Sequence, residues 1–401
     1  MATRSEILLP PAPPRPIVWL RQNLFSSPFN SLLTVLSLAF IIWILNTALR
    51  WVLLQADWSI VFNHPLLYAV GQYPREALWR VGINLTLLSL LIGASWGCLG
   101  RALRLFSLLY AAMLAVGILW PAQFETLTLT MRLALAANIG VMGLGYLAGR
   151  RPFVTGRRLV LSWLAALAIA LVLLSGIPGA PLLPLVPTGL WGGLMVTLIL
   201  AVGGIVLSFP FGVLLALGRR SSLPVVSIFS TIFIEIVRGV PLIGILFLAS
   251  LILPLFFPPD VRFDRLLRAL AGLTVFSAAY TAENVRGGLA AVPRGQEEAA
   301  MALGLNRYQV LTLIVLPQAL RIVIPPIMGQ FVSLFKDTTL VSGIAVLELL
   351  AVGRSVLGAN PEYVDQQAEM LLFVAAVFWF FSYLMSYASQ RLETALGVGE
   401  R

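Results

Sequence analysis

The chain has 401 residues, 59% of them hydrophobic and only 11% charged, with a mean hydropathy of +0.93. A soluble domain carries about 25% charged residues, so the composition excludes one and fits a polytopic helical membrane protein. The net charge of +10 reads, in such a protein, as positive loops on one side and not as a nucleic-acid surface. Cys98 and His64 are the only residues of their kinds, so neither an intrachain disulfide nor a Cys/His metal site can form.

The first thirty residues are proline-rich (Pro10, Pro11, Pro13, Pro14, Pro16) and carry Arg4, Arg15 and Arg21. Their first apolar run comes late and is long, which reads as a retained anchor and not as a cleaved signal peptide. Ten candidate spans lie at about 31–54, 82–100, 105–121, 127–148, 159–176, 190–217, 225–256, 264–290, 317–336 and 366–390. They are continuous apolar runs without alternation, so the expected fold is all-α with about ten transmembrane helices and not a β-barrel. Between the fifth and sixth, residues 177–189 hold four prolines and two glycines, the best boundary in the chain. It separates a tail and five-span extension, 1–178, from a second membrane domain, 186–393.

Orientation follows from the loops. Arg4/Arg15/Arg21, Arg101/Arg104, Arg150/Arg151/Arg157/Arg158, Arg219/Arg220, the stretch from Arg294 to Arg307 and Arg391/Arg401 fall on one face. The positive-inside rule makes that face cytoplasmic, with both termini inside. The opposite loops carry Asp57, Asp260, Glu362 and Asp365 with fewer basic residues per loop; Arg262, Arg265 and Arg268, beside Asp260 and Asp264, work against the rule. The run 225–256 is too long for one span: ~48 Å as a helix against a hydrocarbon core of ~30 Å. Either its start lies in the interface or the helix bends near Gly239-Val240-Pro241.

A short polar island, residues 293–316, interrupts the apolar second half. Pro293 can open a helix, Glu297 and Glu298 suit the positive end of its dipole, and Gly304 can end it in the left-handed conformation. Asn306 can cap a second helix with Gln309 as the reciprocal partner. Ala299, Ala300 and Ala302 leave the surface flat. The expectation is a helix–turn–helix on the cytoplasmic face; the plain alternative is a solvated loop with a short amphipathic helix.

Ionisable residues in spans are costly and face partners or a water-lined path. Glu235 and Arg238 are an i,i+3 pair, as are Glu283 and Arg286, and Arg321 is a fifth candidate. They are expected to form a charged ring near the cytoplasmic end, either a gate that exchanges partners or a set of static ties. Lys336, Asp337, Thr338 and Thr339 follow the ninth span, before an apolar helix expected at 341–353. They offer an acceptor for an ammonium and donors for a carboxylate, or else make a polar turn at the surface. In the extension, Arg132 lies in a span, and Gly140, Gly143 and Gly145 suit close helix packing.

The wording of several segments resembles a known family. Arg238-Gly-Val-Pro-Leu242, Phe276-Ser-Ala-Ala-Tyr280-Thr-Ala-Glu283-Asn-Val-Arg286-Gly-Gly288, Gly295-Gln-Glu-Glu-Ala-Ala300, Leu316-Pro-Gln-Ala-Leu-Arg321 and Lys336-Asp-Thr-Thr-Leu340 together resemble the polar amino-acid (histidine/glutamine-type) branch of ABC-importer permeases, over about 190–392. The large membrane extension resembles the M-type permease subunit of general L-amino acid transport systems. The resemblance implies that the last five spans form a type I importer (MetI-like) core, and that Glu297, Glu298, Ala299, Ala300 and Gly304 belong to the loop that docks on an ATP-binding subunit. It further implies a bacterial inner-membrane protein, a second, related permease chain and an extracytoplasmic amino-acid-binding protein. Twenty spans for two copies favour an unlike permease partner.

The chain lacks a phosphate cradle Gly-x-x-x-x-Gly-Lys-Ser/Thr; its only lysine, Lys336, follows Val-Ser-Leu-Phe. No nucleophile–base pair is visible either. ATP and Mg then belong to the partner ATPase, this chain binds no cofactor, and it performs no bond chemistry. The rivals are an ion-coupled secondary transporter of amino acids, which wants midplane acids and broken helices in matching halves, and a membrane scaffold, which needs neither charged spans nor the island.

Overall fold

The computed structural model describes residues 16–121, 127–258, 263–395 and 397. Pro10, Pro11, Pro13, Pro14, Arg4, Arg15, Asp260, Arg262 and Arg401 lie outside the described residues. The helices are α1 Pro16–Asn23, α2 Pro28–Arg50, α3 Ser59–Phe62, α4 Pro65–Val70, α5 Leu78–Leu99, α6 Arg104–Ile118, α7 Leu129–Gly149, α8 Gly156–Ser175, α9 Gly193–Arg219, α10 Pro224–Gly239, α11 Leu242–Phe247, α12 Arg265–Ala291, α13 Arg294–Ala302, α14 Arg307–Gln309, α15 Leu316–Ile322, α16 Ile324–Asp337, α17 Leu349–Ala359 and α18 Gln367–Ala395. Among the described residues there is no strand, only two isolated bridges.

The chain divides into two compact units, 1–57 and 58–401. In the first unit, Ser27 caps α2 by accepting from the Asn30 N–H at 3.1 Å, and the helix runs on to Gln55 with no buried residue. In the second, the proline-rich break is tied down. Buried Arg80 donates to the Pro184 carbonyl at 2.9 Å, and the Tyr73 hydroxyl donates to that of Leu174 at 2.9 Å. One apolar core, from Val70 and Tyr73 through Leu200 and Leu273 to Leu334, runs across the expected boundary.

Among the described residues, six helical stretches are long and apolar enough to cross a membrane, or up to eight if each bent pair is one span. Two features explain the difference from ten. The stretch Arg75–Ile118 counts as one but contains α5 and α6 on either side of a turn at Gly100–Leu103. Helix α12, 27 residues long, carries Arg265, Arg268, Glu283 and Arg286, which leave it less apolar than the six. The run 225–256 is bent by 110° between α10 and α11, at the Val240-Pro241 step. A second break of 58° separates α15 from α16 before Pro325 and Pro326.

Helices meet where side chains are missing. Gly93 and Gly97 on α5 cross Gly145 and Gly149 on α7; a Cβ on any of the four would lie 2.0–2.3 Å from a backbone oxygen of the other helix. Gly140 and Gly143 have nothing within 4 Å and take no part. Arg132, at the start of α7, donates to the Ile118 and Leu127 carbonyls. In the second half, α9 and α12 pack in the same way, with Gly212 against Thr281 and the Ala278 carbonyl. Gly149→Ala should therefore lower the melting temperature of the purified chain by several degrees. Gly143→Ala should leave it unchanged or raise it, because alanine is the better helix former by ~1 kcal/mol.

Helix α9 defines two ends of the bundle. At its start, the Gly192 N–H donates to the Val70 carbonyl at 3.1 Å and the Gly193 N–H to that of Leu347 at 2.9 Å. Beside them Glu348, fully buried, caps α17 by accepting from the Leu350 and Ala351 N–H groups, both at 2.8 Å. Burial pushes the Glu348 carboxyl up to about 7, against the pull of those donors and of Arg354. The folded value lies above the ordinary 4.5. This contribution to stability is then complete at low pH and lost as pH rises through about 7. Melting measured from about pH 5 to about pH 8 should fall for the wild type and stay flatter for Glu348→Gln.

Candidate functional site

The other end of α9 carries the polar island. Pro293 is the N-cap of α13 rather than its first residue. Gly304 ends the turn at φ +83°, as its position requires. The Asn306 side chain accepts from the Gln309 N–H at 3.0 Å while the Gln309 side chain accepts from the Asn306 N–H at 3.0 Å, the reciprocal cap expected from sequence. Beyond it a π-helical turn, Val310–Val315, leads into α15.

The island is folded back on the bundle. Ala300 is buried with Val292, Val310, Val315 and Ala319, so it does not contribute to a flat outer surface; Ala299 and Ala302 do. Glu297 pairs with Arg220 at 3.4 Å, which holds α13 to the end of α9. Glu298 is exposed, and so are three large apolar side chains, Met301, Leu303 and Tyr308, with Leu303 83% accessible. The sequence reading attended to the charges and missed these. Their signal was present: apolar residues in a segment too polar to be a span.

Next to the island the structure brings four of the five charged candidates together and adds a sixth residue. Glu283 is the centre. Arg286 donates to both of its oxygens, from Nε at 2.9 Å and from Nη2 at 2.6 Å. Arg219 lies 3.5 Å and Arg238 3.7 Å from the same carboxylate. Arg219 also reaches Glu235, at 3.0 Å. The expected Glu235–Arg238 pair does not form: each finds its partner on another helix. The reason is the α9–α12 packing, which places the Arg219 guanidinium between α10 and α12. Arg238 also stacks over Tyr280 with 5.6 Å to the ring centre.

Three arginines against two glutamates leave the cluster at +1. A unit pair at 4 Å is worth ~4 kcal/mol at an effective dielectric near 20, so Glu283 offsets the mutual repulsion of the three guanidiniums. Its side chain is 25% exposed, so water can compete for the carboxylate. Arg321 lies on α15, apart from the helices that carry these five residues. It lines an apolar groove of about 570 Å³ with Phe209, Leu320, Ile324, Met328 and Phe331.

The four residues at the end of α16 are not equivalent. Lys336 is exposed and Asp337 half-buried. Thr338 is fully buried, and its hydroxyl donates to the Phe335 carbonyl at 2.7 Å. The Thr339 hydroxyl donates to that of Lys336 at 2.9 Å. The helix expected at 341–353 is absent. A 3-10 segment, Thr338–Ile344, runs to Ala345 at φ +59°, a left-handed residue that stops it, and α17 starts only at Leu349.

Comparison with known proteins follows the same geography. A family model described as "Binding-protein-dependent transport system inner membrane component" matches residues 208–397, from the second half of α9 through α18. The glutamate/glutamine/aspartate/asparagine transport system permease protein BztC of Rhodobacter capsulatus is 38% identical over 98% of this chain and 97% of its own length. The inner membrane amino-acid ABC transporter permease protein YhdY of Escherichia coli is 35% identical over 96% and 97%. The probable glutamine ABC transporter permease protein GlnP of Bacillus subtilis is 37% identical, over 51% of this chain but 92% of its own length. With two relatives matched over almost the whole chain and the island and ring both within the region of the family model, the chain belongs to the family of binding-protein-dependent ABC-transporter permeases, the membrane-spanning and non-catalytic subunits of those systems.

Proposed function

We propose that this chain is the M-type permease subunit of a bacterial importer for amino acids, with an extension at 1–178 and the permease domain at 186–393. The single observation that carries the reading is the capped island, pinned by Glu297 and Arg220 and offering Met301, Leu303 and Tyr308 to a partner, directly beside the charged ring. A rigid helix with exposed apolar side chains at its tip suits a groove on a soluble subunit. An ATPase supplies the nucleotide chemistry, with its Mg, that the sequence lacks. A binding protein delivers substrate from the opposite face, and a second, related and unlike permease completes the path. The positive loops put both termini and the island in the cytoplasm.

In this scheme ATP-driven movement of Glu297, Glu298, Ala299, Ala300 and Gly304 reaches the ring of Arg219, Glu235, Arg238, Glu283 and Arg286 through the Glu297–Arg220 contact. The ring opens the path by exchanging the partners of Glu283. Lys336, Asp337 and Thr339 offer groups to a zwitterionic substrate, while Thr338 holds the helix end they stand on. The relatives named for amino-acid transport support the substrate class, and the one named as an ABC transporter permease favours ATP over an ion gradient as the driving force.

Affinity purification of the chain from host membranes should bring down an ATPase. Leu303→Asp and Gly304→Val should remove it at unchanged chain level; uptake by the isolated chain driven by an ion gradient alone would overturn the reading. In the reconstituted assembly, Glu283→Gln should cut uptake about tenfold and raise the ATP used per amino acid, as expected when a charge that balances three others is removed at a cost of ~1.4 kcal/mol or more. Unchanged uptake and coupling in that variant would leave the ring a static tie.

A further inference from the structure

Nothing in the transport scheme uses residues 58–70, which lie outside the region matched by the family model. Yet they are among the most firmly held in the chain. We infer that α3 and α4 of the extension brace α17 at the mouth of the path opposite the island, with Gln366 and Tyr363 as the positioning residues. That this mouth faces away from the cytoplasm rests on the orientation proposed above; the brace itself rests on contacts.

Those contacts are of three kinds. The first is apolar: Ile60, Val61 and Tyr68 share one buried cluster with Leu349, Val352, Val356, Tyr363, Met370 and Val374. The second is polar. At the start of the short helix α3 the side-chain oxygen of Gln366 accepts from the Ile60 N–H at 3.0 Å, from 306 residues away. Gln366 also exchanges hydrogen bonds with the Ser59 hydroxyl, at 3.0 and 3.2 Å. Asn63 donates to the Tyr363 hydroxyl at 3.1 Å, and the His64 ring stands edge-on to that of Tyr363. The third is backbone against backbone. A Cβ on Gly71 would lie 2.5 Å from the Gly192 Cα, and one on Gly193 2.2 Å from the Tyr68 carbonyl oxygen. Main-chain bonds then continue from Val70 to Gly192 and from Gly193 to Leu347.

The need for such support is geometric. Helix α17 has 11 residues and rises only ~16 Å, about half of what a span requires, so it cannot be held by the bilayer as a span is. It must be held by protein, and the extension supplies one side of its housing. The ring and island lie at the far end of α9, ~40 Å along a 27-residue helix. A fixed mouth at one end and an exchangeable charge cluster at the other give the helices a point to pivot against.

The test uses the whole assembly in proteoliposomes, with Cys98→Ser as background. Wild-type ATP-driven uptake is recorded first; its absence would count against the proposed function and not against the brace. Gln366→Leu leaves the Ile60 N–H and the Ser59 hydroxyl without their buried partner. Uptake should drop by about tenfold, with a higher half-saturating concentration of loaded binding protein and unchanged unstimulated ATP hydrolysis. Gln366→Glu, which keeps the oxygen that accepts from the Ile60 N–H and the Ser59 hydroxyl and gives up only the amide donor, should recover most of the loss. Loss of the same proportion in every activity, in step with the amount of folded chain, would reduce Gln366 to a structural residue and overturn the proposal. So would wild-type behaviour of Gln366→Leu. Independently, Ser59→Cys/Gln366→Cys should be impaired when free and restored when joined by a short bis-thiosulfonate linker. If joining instead stops uptake, the two segments part during transport and the brace is refuted.

Discussion

Helices in lipid gain nothing by hiding apolar side chains from one another, since the lipid is equally apolar. What holds them is close approach, and close approach needs residues with little or no side chain. Everything else here depends on that constraint. Gly93, Gly97, Gly145 and Gly149 let α5 and α7 touch backbone to backbone, and Gly212 does the same for α9 against α12. The second of these contacts is the one with functional weight. It sets the ends of α9 and α12 side by side, and Arg219 meets Glu283 because the helices beneath them are already in register.

The two ends of the bundle are built on different principles. At the island end the links are between long side chains, partly exposed, and Glu283 has three cations within reach. Such links can be remade at little cost, because water and a neighbouring partner both replace what is lost. At the other end the links are main-chain bonds, glycine contacts and a buried carboxylate that caps a helix. Those have no second arrangement of similar energy. The division between a soft end and a hard end is thus a property of the interactions themselves.

What could be read from sequence was local. The break at Gly239-Val240-Pro241, the left-handed Gly304 and the reciprocal cap of Asn306 and Gln309 each depend on a few adjacent residues, and each is present. What could not be read depended on distance. Glu235 and Arg238 satisfy the spacing rule for a pair on one helix, but that rule is worth only ~0.3–0.5 kcal/mol, and Arg219 displaces it from across the bundle. Thr338 looked like a free hydroxyl until the helix end buried it. Three glycines in α7 looked alike, and only the register of α5 separates Gly145 from Gly140 and Gly143. The segment 58–70 passed for a loop because its helices are too short for periodicity to show.

The long reach of Gln366 to the Ile60 N–H has a consequence for how the protein is made. At about 5–20 residues per second, a separation of 306 residues corresponds to a wait of roughly 15–60 s between synthesis of the two groups. Throughout that interval the extension is in the membrane while the helices that will cover Ile60 and Tyr68 are not. The apolar face of α3 and α4 must be shielded by lipid or by the insertion machinery until α17 and the start of α18 arrive. Closure of this contact is therefore among the last events of biogenesis, and a chain that stops short of it carries its defect at the surface from the beginning.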